Sequence, residues 1–263
     1  MLIIAFIFVE TGTQDNKRNL LPATRDNKNF NTTIMKRYFV SLLLVLLVSC
    51  SPLREYRDDP AVKAWESDIE NFEQLDKTET YPVNAVMFAG SSSIRLWSTL
   101  DNDMAPYSVI QRGYGGAKLS DFAVYADRIF TPHKCSALVM FVANDIYGGD
   151  DDKTPEEVKK LFLNVLKTFR KTHPDTPFFW IAVTPTSSRW SVWSEISRVN
   201  DLIKKVCEDQ RNTYFIRTDF AFLDETGKPD DSLFLTDKLH LNARGYKIWT
   251  ELIRNELDSI LKN

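Results

Sequence analysis

Three consecutive serines, Ser91, Ser92 and Ser93, follow Gly90 in this chain. A serine hydroxyl becomes a nucleophile only when a neighbouring base takes its proton, so the question passes to histidine. The chain holds three: His133, His173 and His240. His240 stands in Asp237-Lys238-Leu239-His240, with a carboxylate three residues ahead of it. A carboxylate on the preceding turn can orient one imidazole nitrogen while the other accepts a hydroxyl proton. Local sequence leaves two other readings open. Serines at a helix start commonly cap free backbone N–H groups, and an Asp-x-x-His run can be an exposed loop.

Two further stretches carry donors for a developing oxyanion. Gln111-Arg112-Gly113-Tyr114-Gly115-Gly116 is a glycine cluster that lets backbone N–H groups approach a ligand without a Cβ between them. A phosphate loop is the rival, but no GxxxxGK[ST] follows, and Lys118 stands where GxGxxG needs its last glycine. Val142-Ala143-Asn144-Asp145 supplies a side-chain amide, although an Asn-Asp pair is equally a turn former.

These residues need a scaffold that brings them together. Short apolar runs occur at Ala85 to Ala89, Ser108 to Gln111, Ala137 to Val142, Phe178 to Val183 and Tyr214 to Arg217, and predict five strands. Between and after them, 3.6-residue periodicity predicts helices at Leu119 to Phe130, Pro155 to Thr172, Val192 to Cys207 and Ala243 to Leu261. Such alternation implies a parallel sheet, and runs like Ala137-Leu138-Val139-Met140-Phe141-Val142 suit strands buried on both faces. In open sheets of this kind ligands bind outside the carboxyl ends of the strands. The serines, the glycine cluster, Asn144 and His240 all fall near such ends, whereas His133 and His173 precede strands.

Taken in order, Gly90-Ser91-Ser92, Gly116, Asn144 and Asp237-x-x-His240 resemble the four blocks of the SGNH (GDSL-like) hydrolase superfamily, over about Asn84 to Asn263. The resemblance implies a flavodoxin-like α/β fold, a three-layer α/β/α sandwich around a parallel five-stranded sheet. It implies Ser92 as nucleophile, with Ser91 and Ser93 as competitors, His240 as base and Asp237 as its orienting partner. The oxyanion hole would comprise the N–H groups of Ser92 and Gly116 and the amide of Asn144. Two departures stand out. Ser91 replaces an acidic residue of the first block, and Val142 replaces the glycine two before Asn144, which would tighten or shift the pocket.

The whole chain fits one such domain. Its 263 residues are 43% hydrophobic and 26% charged, as in an ordinary globular domain. Lys and Arg are scattered among Asp and Glu, with formal charge -3 and no basic stripe, which argues against nucleic acid as a partner. Cys50, Cys135 and Cys207 are too few and too dispersed for a disulfide framework or zinc cluster, and no metal or organic cofactor is expected.

The N-terminal stretch reads as a targeting segment. Lys36 and Arg37 precede an apolar run from Phe39 to Val48, then Ser49 and Cys50, the order of a signal peptide. The run is shorter than the ~20 residues a transmembrane helix needs. Leu47-Val48-Ser49-Cys50 resembles the bacterial lipoprotein box, whose cysteine is acylated and becomes the first mature residue. Met35, directly before the basic pair, is the expected true start. Residues 1–49 are thus expected to be an upstream extension and signal peptide, 50–81 a tether with one helix carrying Trp65 and Phe72, and 82–263 the hydrolase domain. From Cys50 onward 27 basic groups face 33 acidic ones, a net charge of -6. The expected location is exported, held to a bacterial membrane through acylated Cys50 only.

The expected reaction is hydrolysis of a carboxylic ester through an acyl-enzyme, on a small-molecule or glycan ester. Trp97, Trp190 and Trp193 follow the first and fourth strands and could offer faces for a sugar, and Arg189 could pair with an acidic sugar's carboxylate or form a surface salt bridge. Removal of O-acetyl groups from carbohydrate is preferred. A lipase or thioesterase, and a silent glycan-binding lipoprotein, are the alternatives.

Overall fold

The computed structural model describes residues 53–262. The targeting segment and Cys50 lie outside the described residues. Five strands form one parallel sheet in the order β2-β1-β3-β4-β5: β1 Val86–Gly90, β2 Val109–Gly113, β3 Ala137–Phe141, β4 Phe178–Ile181 and β5 Thr213–Ile216. This order reverses direction at β1 and β3, the point where such sheets open a crevice.

Successive side chains of a strand point to opposite faces, and the core divides accordingly. Met87 and Ala89, Leu138 and Met140, Phe178 and Trp180 enter one buried cluster. Val86 and Phe88, Val139 and Phe141, Phe179 and Ile181 enter the other. Both faces are therefore apolar, which explains the unbroken hydrophobic runs. Helices α6 (Leu119–Phe130), α7 (Pro155–Thr172) and α8 (Trp193–Asp209) cover the first face. The short α4 (Ser92–Arg95) and α5 (Leu100–Asp103) and the long C-terminal α9 (Ala243–Leu261) cover the second.

Local chemistry places the helix starts. Thr154 and Glu157 form a reciprocal capping box ahead of Pro155, where a missing N–H costs nothing. The Asn242 side chain accepts from the N–H groups of Arg244 and Gly245 at the head of α9. Its amide also donates to the carbonyls of Ser232 and Phe234, fixing α9 beside the loop that carries Asp237 and His240.

The segment before β1 differs from the expected tether with one helix. Three helical pieces, α1 (Arg54–Asp58), α2 (Pro60–Lys63) and α3 (Glu66–Thr78), pack against the first face. Asp59 caps α2 and Pro60 opens it, which breaks the helix into pieces. Tyr56, Val62, Trp65, Ile69 and Phe72 form the apolar stripe that docks, and burying Ile69 alone contributes about 2 kcal/mol. Arg128 of α6 then bonds Glu66 and Glu73 of α3. No helix among the described residues is long and apolar enough to cross a membrane.

Candidate active site

At the carboxyl end of β1 the chain turns sharply at Gly90, whose φ is +151°. A Cβ there would stand 1.9 Å from the Phe141 carbonyl oxygen, because β1 and β3 approach closely as the Ser91 N–H donates to that oxygen (2.9 Å). Glycine is required by both the dihedral and the space. The turn leads directly into α4 and separates the three serines. Ser91 and Ser93 are buried, and only Ser92 keeps partial exposure. Ser91 occupies the N-cap position but makes no side-chain cap bond, so capping does not explain the run.

The Ser92 hydroxyl lies 2.9 Å from Nε2 of His240, and Nδ1 of His240 lies 2.7 Å from Oδ2 of Asp237. The other oxygen, Oδ1 of Asp237, accepts from the backbone N–H groups of Leu239 and His240, each 3.0 Å. Burial acts to raise the Asp237 carboxyl, but the His240 ring and these two N–H donors outweigh it and hold the group below its ordinary value. An ionised carboxylate only accepts, so Nδ1 must carry the ring proton and Nε2 is left to accept from Ser92. The loop achieves this partly through Lys238, a non-glycine residue at φ +54°, whose ammonium pairs with Asp231 (2.7 Å). Asp231 in turn accepts from the Ser187 hydroxyl, joining this loop to the turn after β4.

A cleft of about 400 Å³, including its open mouth, lies over these groups. Ser92, His240, Asn144, Arg189, Thr184 and Thr186 supply its polar wall, with Trp249 among its apolar residues. The Asn144 amide donates to the Ala117 carbonyl (2.9 Å), and the next residue, Asp145, accepts the Leu119 N–H with both oxygens. Consecutive side chains at the end of β3 thus pin the glycine-rich loop after β2.

Residues 81–248 match the GDSL-like Lipase/Acylhydrolase family. The chain belongs to that family. Its fold is similar to that of a GDSL-like lipase from Bacteroides thetaiotaomicron VPI-5482, at TM-score 0.59 and 13% identity over 73% of this chain and 97% of the other. It is also similar to a lipase/acylhydrolase from Enterococcus faecalis, at TM-score 0.56 and 19% identity over 67% and 96%. A carbohydrate esterase of family 3 from Talaromyces cellulolyticus gives TM-score 0.54 and 16% identity over 68% and 98%. No curated protein matches the chain in sequence. Membership makes the protein a hydrolase of the acylhydrolase and esterase class.

Within this acylhydrolase the structure redistributes several expected residues. Trp97 is not a substrate contact: it is fully buried, stacks on Tyr246 at 5.1 Å and donates its indole N–H to Asp103 (2.7 Å). A tryptophan seven residues beyond the strand belongs to the core because α4 turns it under α9. Trp190 is half-buried and stacks on Trp193 at 5.9 Å, outside the cleft. Gly116 is exposed at φ +73° beside Trp65 and does not line the cleft. Val142 packs into the core cluster and leaves the cleft wall to Phe141, Ala143 and Asn144, so it does not narrow the cleft.

Arg189 lines the cleft, and the surface salt bridge is not formed. Its guanidinium donates to the Ala143 carbonyl and to Oδ1 of Asn144 (2.6 Å). Sequence reasoning also passed over Thr184 and Thr186. Their position just past β4 was the available signal, since ligands gather at that end of every strand.

Proposed function

We propose that this acylhydrolase is a serine esterase that removes O-acetyl groups from carbohydrate. The observation that carries the reading is the unbroken chain Ser92 Oγ, His240 Nε2, His240 Nδ1, Asp237 Oδ2, with bonds of 2.9 and 2.7 Å at its two ends. His240 takes the Ser92 proton as Oγ attacks the ester carbonyl. The resulting imidazolium is stabilised by Asp237, and the tetrahedral oxyanion accepts from the Ser92 N–H and the Asn144 amide, the two expected donors whose residues line the cleft. Each such donor lowers the barrier by about 3 kcal/mol. Imidazolium then returns the proton to the departing alcohol, leaving an acyl-Ser92 ester. Water, deprotonated by the same imidazole, cleaves it and restores the hydroxyl.

The small cleft, backed by Trp249, favours a short acyl group over a long chain. Fold similarity to the carbohydrate esterase from Talaromyces cellulolyticus supports a sugar as the alcohol part. The sequence from Lys36 to Cys50 supports export and anchoring by acylated Cys50, which would present the enzyme to extracytoplasmic glycans.

The test is turnover of an aryl acetate and of acetylated xylan by wild type and Ser92→Ala, with fluorophosphonate labelling alongside. Ser92→Ala is expected to lose ~10⁴-fold or more in kcat and all labelling. Wild-type turnover by Ser92→Ala sinks the nucleophile. Activity confined to long-chain acyl esters sinks the acetyl-glycan reading while leaving the nucleophile in place.

A further inference from the structure

Among the described residues, Arg189 is the one arginine or lysine that lines the cleft. Burial pushes its guanidinium below its ordinary value, and Asp152 and Asp145 oppose this only through space. An arginine so placed, without an ion pair, carries a solvation cost that its hydrogen bonds must offset. Both of those bonds go to one short segment, the Ala143 carbonyl and Oδ1 of Asn144.

The chemistry of these partners determines the Asn144 amide. A guanidinium only donates, so the atom facing it must be the carboxamide oxygen. On the other side, the Ala117 carbonyl only accepts, so the atom facing it at 2.9 Å must be the nitrogen. Two neighbours of opposite character therefore select one of the two amide orientations, a choice that the shape of the side chain alone leaves open. One N–H is used on Ala117. The second is left for the cleft that Asn144 lines. Polarisation by the guanidinium withdraws electron density from Oδ1 and makes that N–H a stronger donor.

We propose that Arg189 is a positioning residue: it locks Asn144 with its N–H, rather than its C=O, toward the oxyanion. The inference rests on Asn144 being an oxyanion donor. Without Arg189 the amide could turn and present an oxygen to a developing negative charge.

The experiment measures kcat and KM on an aryl acetate for wild type, Arg189→Met, Arg189→Lys, Asn144→Ala and the doubles with Asn144→Ala, with a thermal melt of each. Asn144→Ala is expected to lose ~10²- to 10³-fold in kcat. Arg189→Met is expected to lose ~10- to 100-fold in kcat with KM within about twofold, and to add almost nothing in the Asn144→Ala background. Arg189→Lys keeps the charge but not the fork that spans two acceptors, so it falls between wild type and Arg189→Met. If Arg189→Met melts without a folded baseline, Arg189→Lys carries the same double-mutant comparison. Wild-type kcat in Asn144→Ala defeats the oxyanion reading itself. A loss in Asn144→Ala with none in the Arg189 variants, or equal Arg189 losses in both backgrounds, overturns the positioning role alone.

Discussion

His240 and His133 each sit beside an aspartate, at opposite ends of the same parallel sheet. At the carboxyl end, His240 and Asp237 meet at 2.7 Å with side chains 24% and 45% exposed, and the free ring nitrogen meets a hydroxyl. At the amino end, His133 and Asp76 lie 3.0 Å apart with side chains 6% and 12% exposed. There Nε2 of His133 finds no hydrogen-bond geometry, and the same Asp76 oxygen is engaged at 2.5 Å by buried Arg112. Burial is the main force lowering His133, ahead of the opposing attraction of Asp76. Two pairs with the same residue types therefore do different work. One aspartate is free to orient an imidazole, and the other neutralises an arginine. What separates a catalytic arrangement from a structural one is who else the carboxylate serves and what the second ring nitrogen faces.

The sharpest way to break this contrast is to delete each ring. His240→Ala removes the proposed base and is expected to lower kcat by ~10⁴-fold or more while barely moving the melting temperature. His133→Ala leaves kcat near wild type and costs about 1–3 kcal/mol of stability, read in a denaturant titration, through the cavity left among Tyr81 and Asp76. Loss of turnover in His133→Ala at unchanged stability would mean the two ends are coupled and the contrast is wrong.

A second test acts on the backbone that exposes Ser92. Gly90→Ala places a Cβ 1.9 Å from the Phe141 carbonyl oxygen at a φ of +151°. The strands must part or the turn must refold, at a cost of about 3–5 kcal/mol. Turnover should fall with stability, since the same turn aims the hydroxyl. Among the described residues no glycine constrains the His133 pair in this way, so the amino end offers no counterpart. A variant that melts like wild type would show that the turn relaxes without strain.

These contrasts also mark what could be read from residues alone. The helices Leu119–Phe130, Pro155–Thr172 and Ala243–Leu261 begin and end where periodicity and capping chemistry place them. The strands shift by only one or two residues, because doubly buried strands carry their signal as continuous apolar runs. Ser92, Asp237 and His240 were legible because a proton path needs particular groups in a particular order. Trp97 was not, since a tryptophan past a strand end reads the same whether α4 turns it inward or outward. Nor was the Arg189–Asn144 bond, which joins residues 45 positions apart through a turn of 3₁₀ helix. The stretch 50–81 reads as a tether with one helix because its apolar residues are sparse among charges, yet it forms α1 to α3 and those few residues align on one side of the fold.

The smallest expected effect concerns buried carboxyls near the carboxyl end. Asp121 and Asp145 are each raised to about 6, chiefly by burial, with backbone N–H donors opposing it and the charge of Asp145 adding to the rise at Asp121. The Lys118 ammonium, which could neutralise them, is paired with Asp151 instead. Here the amino end differs again, since Asp76 has Arg112 in contact. In the unfolded chain both acids titrate near 3.9. Between about pH 4 and 6 the folded protein therefore holds protons that the unfolded chain has released, and these two groups make stability fall as pH rises through that window. Asp121→Asn removes one of the pair and keeps an oxygen to accept the Lys118 N–H, now made by Asp121 at 2.8 Å. It is expected to flatten the decline by about 1–2 kcal/mol between pH 4 and 6, measured by urea unfolding at each pH. An unchanged slope would place the Asp121 carboxyl in the ionised form throughout, held there by the Lys118 N–H at the head of α6, and would leave Asp145 alone to carry the decline.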